Sequence, residues 1–398
     1  MTTLLSLLGT GSADPRSPAG VKCYRTAHYR MGDVDLGSGS FAAAALLDHL
    51  HIDTLVLIGT RRSLWDEAYR VLAARTGAVD EEVQYHLLER IEAYATAPLR
   101  TTDLGVFSSL SKPQVKTVLL PYGTDEAELT NILHTLSATL DTLPGDTRLY
   151  LDITHAFRSL PLYTLTVLDY LTNVRGRGRL RDIFYAMLEV SGERSHTPVV
   201  SLRSVLDIQR WVRAGYVLKK LGDGYELAVL LREHYPELAD TLRQHTDALR
   251  MNNLQCLTQL QHQLPDLGTV PDLGVRIALR ALAGFYRQFD RAVSQADLQL
   301  RVAKYHHQRG HHGMCYLVLA EALVTYGCEY NGTDPSIYQN REAAKKWLGT
   351  SALKALYKRV NKRRKRVAHQ LDTLADPATD IAALPDLLDR AAAFIQPN

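Results

Sequence analysis

Two hydrophobic periods divide this chain. In the first half, short apolar, β-rich runs recur at residues 4–8, 54–58, 116–120, 148–153, 183–188 and 199–202. Helical patterns separate them at 41–50, 63–74, 81–92, 125–140 and 159–171. Strands alternating with helices predict a mostly parallel sheet covered on both faces. After about residue 203 the strand signal fades. Helical spacing takes over at 205–221, 237–250, 275–296, 313–326, 351–369 and 381–395. One interruption carries the near-duplicates Pro265-Asp-Leu-Gly268 and Pro271-Asp-Leu-Gly274, which read as a surface loop. The expected architecture is an α/β domain over 1–203 followed by an all-helical one over 204–398.

Composition changes little in this picture. The 398 residues are 46% apolar and 22% charged, ordinary for a globular chain of two or three domains. A net charge of +3 is too small for a whole-molecule nucleic-acid binder, so any basic signal is local. Cys23, Cys256, Cys315 and Cys328 form no C-x-x-C pair, which points away from zinc and disulfides. The amino terminus has no basic leader and no stretch reaches membrane-spanning length, so a soluble cytoplasmic protein is expected.

In a sheet of this type ligands bind beyond the carboxyl ends of the strands. The first run ends in Gly9-Thr10-Gly11-Ser12, which suits a phosphate or simply a tight turn; a third glycine is missing, since position 14 is Asp14. The second ends in Gly59-Thr60-Arg61-Arg62, where guanidiniums could clamp a phosphodiester or merely face solvent; Trp65 reads as core. The fourth gives the densest signal, Asp152-Ile-Thr154-His155-Ala-Phe157-Arg158-Ser159-Leu-Pro161. Ser159 suits an N-cap, and polar groups at a helix start favour an anion. Asp152 and Arg158 can pair to fix the turn while Thr154 and His155 face a ligand.

That Asp152–Arg158 segment resembles the signature of the CARF domain, the Rossmann-like sensor of cyclic oligoadenylates in type III CRISPR antiviral defence. The resemblance covers roughly residues 1–200. It implies a homodimer enclosing a symmetric ring, cyclic tetra-adenylate being the commoner activator. It also implies ligand contacts from Gly9, Thr10, Gly11, Ser12, Thr60, Arg61, Thr154, His155 and Arg158. Some relatives slowly cleave their own ligand.

The second chemical signal is the basic run Lys362-Arg-Arg-Lys-Arg366 leading to His369. Such a run is often only a solvated helix face. Arginine beside histidine also suits RNA cleavage, with Arg stabilising phosphorane-like charge and His moving a proton. The nucleophile is the RNA's own 2′-OH, so this chemistry requires no metal and no cofactor is expected. Arg364-Lys-Arg-Val-Ala-His369 resembles the R-x4–6-H motif of HEPN ribonucleases, over roughly residues 300–398. The resemblance implies single-stranded RNA as substrate, a homodimer or higher oligomer, and Glu321 as the polar residue facing the motif. Lys365 departs from the small polar residue usual after the arginine, which leaves open which of Arg363, Arg364 and Arg366 is catalytic. Five residues on an ideal helix lie about 140° apart, so Arg364 sits at a turn or the site gathers residues from two protomers.

The expected function is a cyclic-oligoadenylate-activated, metal-independent endoribonuclease, with Arg364, His369 and Glu321 at its catalytic site. Its rival is a non-catalytic nucleotide-sensing regulator that binds nucleic acid. A dinucleotide-dependent Rossmann enzyme ranks below both, because no acidic ribose ligand is evident. The cluster His306, His307, His311 and His312 reads as a polar hinge with a solvated or helix-capping role rather than a metal site.

Overall fold

A computed structural model describes residues 1–13, 22–77, 79–156, 159–190, 194–253, 270, 272–289, 292–369 and 376–396. The chain divides into two compact units, Met1–Leu206 and Asp207–Asn398.

The first unit is built on an eight-stranded sheet. Its strands are β1 (Thr2–Leu7), β4 (Ala27–Met31), β5 (Val34–Gly39), β6 (Thr54–Thr60), β7 (Gln114–Leu120), β8 (Arg148–Asp152), β9 (Arg179–Ala186) and β10 (Thr197–Ser201). The short β2 (Ser12–Ala13) and β3 (Lys22–Cys23) form a separate antiparallel pair. The main order is β5-β4-β10-β9-β8-β1-β6-β7. The β9-β8-β1-β6-β7 centre is parallel, while β10 runs antiparallel to β9 and β5 to β4.

The central strand explains why its sequence is an unbroken apolar run. Every residue of β1 is buried. Leu4 and Leu8 enter the core on one face, Leu5 and Leu7 the core on the other. A parallel strand covered on both faces has no solvent side to mark with polar residues. Helices Ala42–His49, Trp65–Ala74 and Glu81–Glu92 cover the first face. Helices Glu126–Asp141 and Leu160–Asn173 cover the second.

The β4–β5 hairpin lies outside the predicted runs. Its strands read Ala-His-Tyr-Arg-Met and Val-Asp-Leu-Gly-Ser-Gly, and β5 is the exposed edge of the sheet. An edge hairpin wetted on its outer side needs no apolar run. The available signal is its turn: Gly32-Asp33 between Met31 and Val34, with Gly32 at φ +57°.

Among the described residues the second unit is helical. Helix His312–Tyr330 is central: its buried residues include Tyr316, Val318, Leu319, Ala320, Leu323 and Val324, which run around the helix. A helix apolar on all sides is one packed on all sides. The predicted helix 275–296 is two, Leu273–Tyr286 and Gln295–Gln308. Ser294 caps the second by accepting from Asp297 N at 3.2 Å. Ser294-x-x-Asp297 is a start signal that outranks continued periodicity. Helix Tyr338–Leu348 falls outside the predicted elements; its apolar positions are few. Of the expected loop at 265–274, residues 265–269 and 271 lie outside the described residues, while Asp272 caps helix Leu273–Tyr286, accepting from Val275 N at 2.8 Å.

Candidate functional site

After the β4–β5 hairpin at the far edge, the chain adds β6 and β7 on one side of β1 and then crosses to β8 on its other side. The carboxyl ends of β1 and β8 therefore flank the switch point, where such sheets bind ligands. Gly9 follows β1 and His155 follows β8. They touch so closely that a Cβ on Gly9 would lie 1.8 Å from the His155 carbonyl oxygen. Only glycine fits that position.

Asp152 is the knot beneath this crevice. It is fully buried, and its carboxylate accepts from Ser6 Oγ at 2.8 Å, Thr154 Oγ1 at 2.6 Å and Thr154 N at 3.0 Å. Burial raises its pKa and these hydrogen bonds oppose the rise. Ala186 N donates to Thr154 Oγ1 at 2.9 Å, tying the β8 end to β9. The Thr154 hydroxyl is thus engaged by its own chain, on a residue that is half-buried. Among the described residues Asp152 is held by Ser6 and Thr154. Arg158 lies outside the described residues.

His155 stacks its ring on Tyr24 at 3.9 Å between centroids, with Phe41 beyond at 5.9 Å. Its Nε2 accepts from Ala42 N at 3.3 Å, which assigns the proton of the neutral ring to Nδ1. Burial pushes its pKa down to about 4, against an opposing pull from Glu67. The Tyr24 hydroxyl donates to Gly9 O at 2.9 Å and accepts from Gly9 N at 3.1 Å. Behind the stack, Arg70 holds Glu67 through two bonds of 2.9 and 2.7 Å, and Ser40 Oγ donates to the same carboxylate. Asp66 is pushed up to about 6 by burial. Sequence reasoning missed Tyr24, Ser40, Phe41, Asp66 and Glu67. They come from an unpredicted loop and hairpin end and from a helix read only as core-facing.

The remaining loop residues separate by exposure. Thr10 is half-buried, while Gly11 and Ser12 are exposed. Gly11 has φ +59°, and a Cβ there would come within 2.6 Å of Cys23 O. Thr60 is 1% exposed and packs on Ser63, whose Oγ accepts from Thr60 N at 2.9 Å. It holds the turn after β6. Arg61 is exposed, and Arg62 sits 4.3 Å over the Tyr94 ring. Trp65 is core, its indole N–H donating to Thr60 O at 2.9 Å. Ser159 occupies the N-cap position without a side-chain cap bond, and Pro161 is in the first turn.

In the second unit the basic run lies on one continuous helix, Lys354–His369. Arg364 is therefore not at a turn, and the alternative in which it is falls away. Arg363 Nε and Arg366 Nη1 both grip Asp380, at 2.8 and 3.2 Å. Asp380 belongs to the short helix Pro377–Ala382, and its carbonyl accepts from the Tyr316 hydroxyl at 2.6 Å. Arg364 makes no ion pair among the described residues, and its buried Nε has no hydrogen-bond partner among them. Glu321 pairs with Arg341. Burial raises the Tyr357 pKa, and the charges of Lys345, Glu321 and Arg364 all act on that phenol, which puts Glu321 and Arg364 in one neighbourhood. The His369 side chain lies outside the described residues. A Cβ on Gly313 would meet Val367 at 3.2 Å, so the start of helix His312–Tyr330 packs against the end of the basic helix.

The histidine cluster divides: His311 is exposed at the N-cap position of helix His312–Tyr330, and His307 and His312 are half-buried, but His306 is not solvated. His306 is 3% exposed, with both ring nitrogens unpartnered among the described residues and a pKa lowered to about 4 by burial. Its ring lies 5.8 Å from that of His311. Among the described residues no group of three or more His, Cys, Asp or Glu is arranged to hold a metal ion. Among them, too, no helix is long and apolar enough to cross a membrane.

Comparison with known proteins adds a lineage to this geometry. Residues 4–189 match the family model of the CARF domain of the CRISPR system endoribonuclease Csx1. Residues 207–295 match that of the second domain of the CRISPR-associated protein MJ1674. The whole MJ1674 protein, from Methanocaldococcus jannaschii, is 26% identical over 93% of this chain, which spans 62% of that protein's length. Among solved structures, Enterococcus italicus Csm6 bound to cyclic hexa-2′-fluoro-hexa-dAMP aligns over 99% of this chain and 94% of its own. The identity there is 13% and the TM-score 0.40.

Proposed function

We propose that this chain, a type III CRISPR-associated CARF protein by those matches, is a cyclic-oligoadenylate-activated endoribonuclease whose helical unit is a HEPN domain. The observation that carries the reading is the division of labour along the basic helix. Arg363 and Arg366 are engaged by Asp380, while Arg364, five residues before His369, makes no ion pair among the described residues. In this reading His369 takes the 2′-OH proton of RNA or protonates the 5′-oxygen leaving group. The 2′-oxygen attacks the adjacent phosphorus, the P–O5′ bond breaks, and the products are a 2′,3′-cyclic phosphate and a 5′-hydroxyl. Arg364 stabilises the charge on the phosphoryl oxygens, and Glu321, through Arg341, sets the local field. The activator binds at the β1 and β8 ends, with Gly9, Thr10, Gly11, Ser12, Arg61 and His155 around it.

The test is cleavage of a labelled RNA by the purified chain with each cyclic oligoadenylate in turn, with and without EDTA. Cleavage is expected with one ring size only, unaffected by EDTA. The His369→Ala chain should lose about 10²–10⁴-fold in rate, the usual worth of a general acid–base group. RNA binding without cleavage under any ring would instead establish the non-catalytic regulator.

A further inference from the structure

A cavity of about 740 Å³ opens in the second unit between helices Arg203–Leu221 and Leu273–Tyr286. The helices approach closely at Gly215, where a Cβ would lie 3.7 Å from Ala281 Cβ and 3.8 Å from Ile277 Cγ2. Four cations line the groove, Lys219, Arg280, Arg287 and Arg309, and no carboxylate does among the described residues. Among those residues, too, none of the four pairs with an acid. Lys219 and Arg280 make no described hydrogen bond, and Arg287 Nε donates to Ala283 O on its own helix, at 3.2 Å. Arg309 lies 3.5 Å over the Tyr305 ring and donates to Gln288 Oε1 at 3.2 Å, while its Nε is buried without a described partner. Converging, uncompensated charges on a concave wall raise the local potential and favour an anion.

Two details narrow the anion. Arg280 and Arg287 are seven residues apart, about 10 Å along a helix at ~1.5 Å per residue, with Lys219 on the facing wall. One phosphate cannot reach all three; a chain of phosphates can. Between the cations the floor is apolar, with Ile277 and Ala281, and Tyr216 stands 60% exposed beside it. An exposed ring next to separated cations suits unpaired bases stacking above a tracked backbone. We propose that this groove binds single-stranded nucleic acid, at a site whose described lining comes from residues 212–219 and 277–288, Gln308 and Arg309 and not from the Arg364–His369 helix.

The proposal stands apart from the cleavage reading because binding is measured without activator and on a strand that cannot be cut. A fluorescent 2′-O-methyl oligoribonucleotide, its DNA counterpart and a duplex of equal length are titrated by anisotropy across salt concentrations. The triple variant Lys219→Gln, Arg280→Gln, Arg287→Gln removes side chains that make no ion pair among the described residues, and its fold is checked by thermal unfolding. We expect at least tenfold weaker single-strand binding. The salt slope should become shallower by about 2, since each phosphate neutralised on a single strand adds about 0.7 to it. Tyr216→Ala should weaken binding several-fold while leaving the salt slope intact. RNA and DNA strands should bind alike, since phosphates and base faces are common to both. Unchanged affinity and slope in the triple variant, or a duplex bound as tightly as the single strand, would overturn the assignment. Loss of binding in the triple variant of a chain that proves unable to cut RNA would support the groove and sink only the nuclease.

Discussion

His155 illustrates how a residue picked for ligand chemistry also carries structure. Its neutral ring accepts from Ala42 N and stacks on Tyr24, and its folded pKa of about 4 lies below the usual 6.5. A histidine with a depressed folded pKa contributes stability that is full above the unfolded value and lost as pH falls through the folded one. Between pH 6.5 and 4 the native state should therefore weaken, by on the order of 2 kcal/mol from this group at pH 5. His245 and His306 are also lowered to about 4 by burial, so acid sensitivity will not vanish with one substitution. The comparison that isolates His155 is thermal unfolding of the wild type and His155→Phe at pH 7.5 and pH 5. Phenylalanine keeps the stack and cannot be protonated, so the variant should lose less stability on acidification. Equal losses would show that the ring is not held neutral. The same residue marks the reach of sequence reading. Asp152, Thr154 and His155 stand out because three polar groups crowd the end of an apolar strand. Which of them turns inward depends on β9, whose Ala186 N claims the Thr154 hydroxyl from 32 residues away.

At the scale of one element, the helix Lys354–His369 sorts its arginines by position. Leu356 and Val360 bury its inner stripe, and Arg363 extends that stripe to reach Asp380 from the same side. Arg363 and Arg366 are three apart, hence neighbours on the surface, and share one carboxylate; Arg364 points elsewhere. Replacing Arg363 or Arg366 by Gln should cost roughly 1–3 kcal/mol, because the half-buried Asp380 loses a charge-assisted partner. Cleavage per folded molecule should change little. Arg364→Gln should leave the unfolding temperature almost unmoved and slow cleavage about 10²-fold or more, as removal of one transition-state charge stabiliser does. Measuring unfolding and cleavage on all three variants decides it, and the opposite pattern would make Arg364 a packing residue. The basic run is plain in the sequence. Its sorting is not, because Asp380 sits beyond a segment with no helical pattern. Similarly, the parallel core is legible from its apolar runs, whereas the β4–β5 hairpin is hidden by its edge position.

For the molecule as a whole, the number of rings bound is the most discriminating quantity. Arg364 and His369 share one continuous helix, about 140° apart, so the backbone does not bring them to one face. If the catalytic site draws Arg364 and His369 from different copies, the active species is a dimer. The simplest closed dimer is two-fold, with the same surface used by both copies. A cyclic oligoadenylate with an even number of units presents the same face twice and matches that symmetry. One ring per two chains is therefore expected from calorimetry. Mixed dimers give the second half of the argument. When wild-type chains are mixed with a chain carrying both Arg364→Gln and His369→Ala, each composite site in a mixed dimer lacks one group. Activity should then fall roughly as the square of the wild-type fraction. Sites complete within one chain would lose activity linearly. A linear fall would place both catalytic groups in a single protomer and require the end of the basic helix to rearrange on activation, and one ring per chain would take the ring off the two-fold axis.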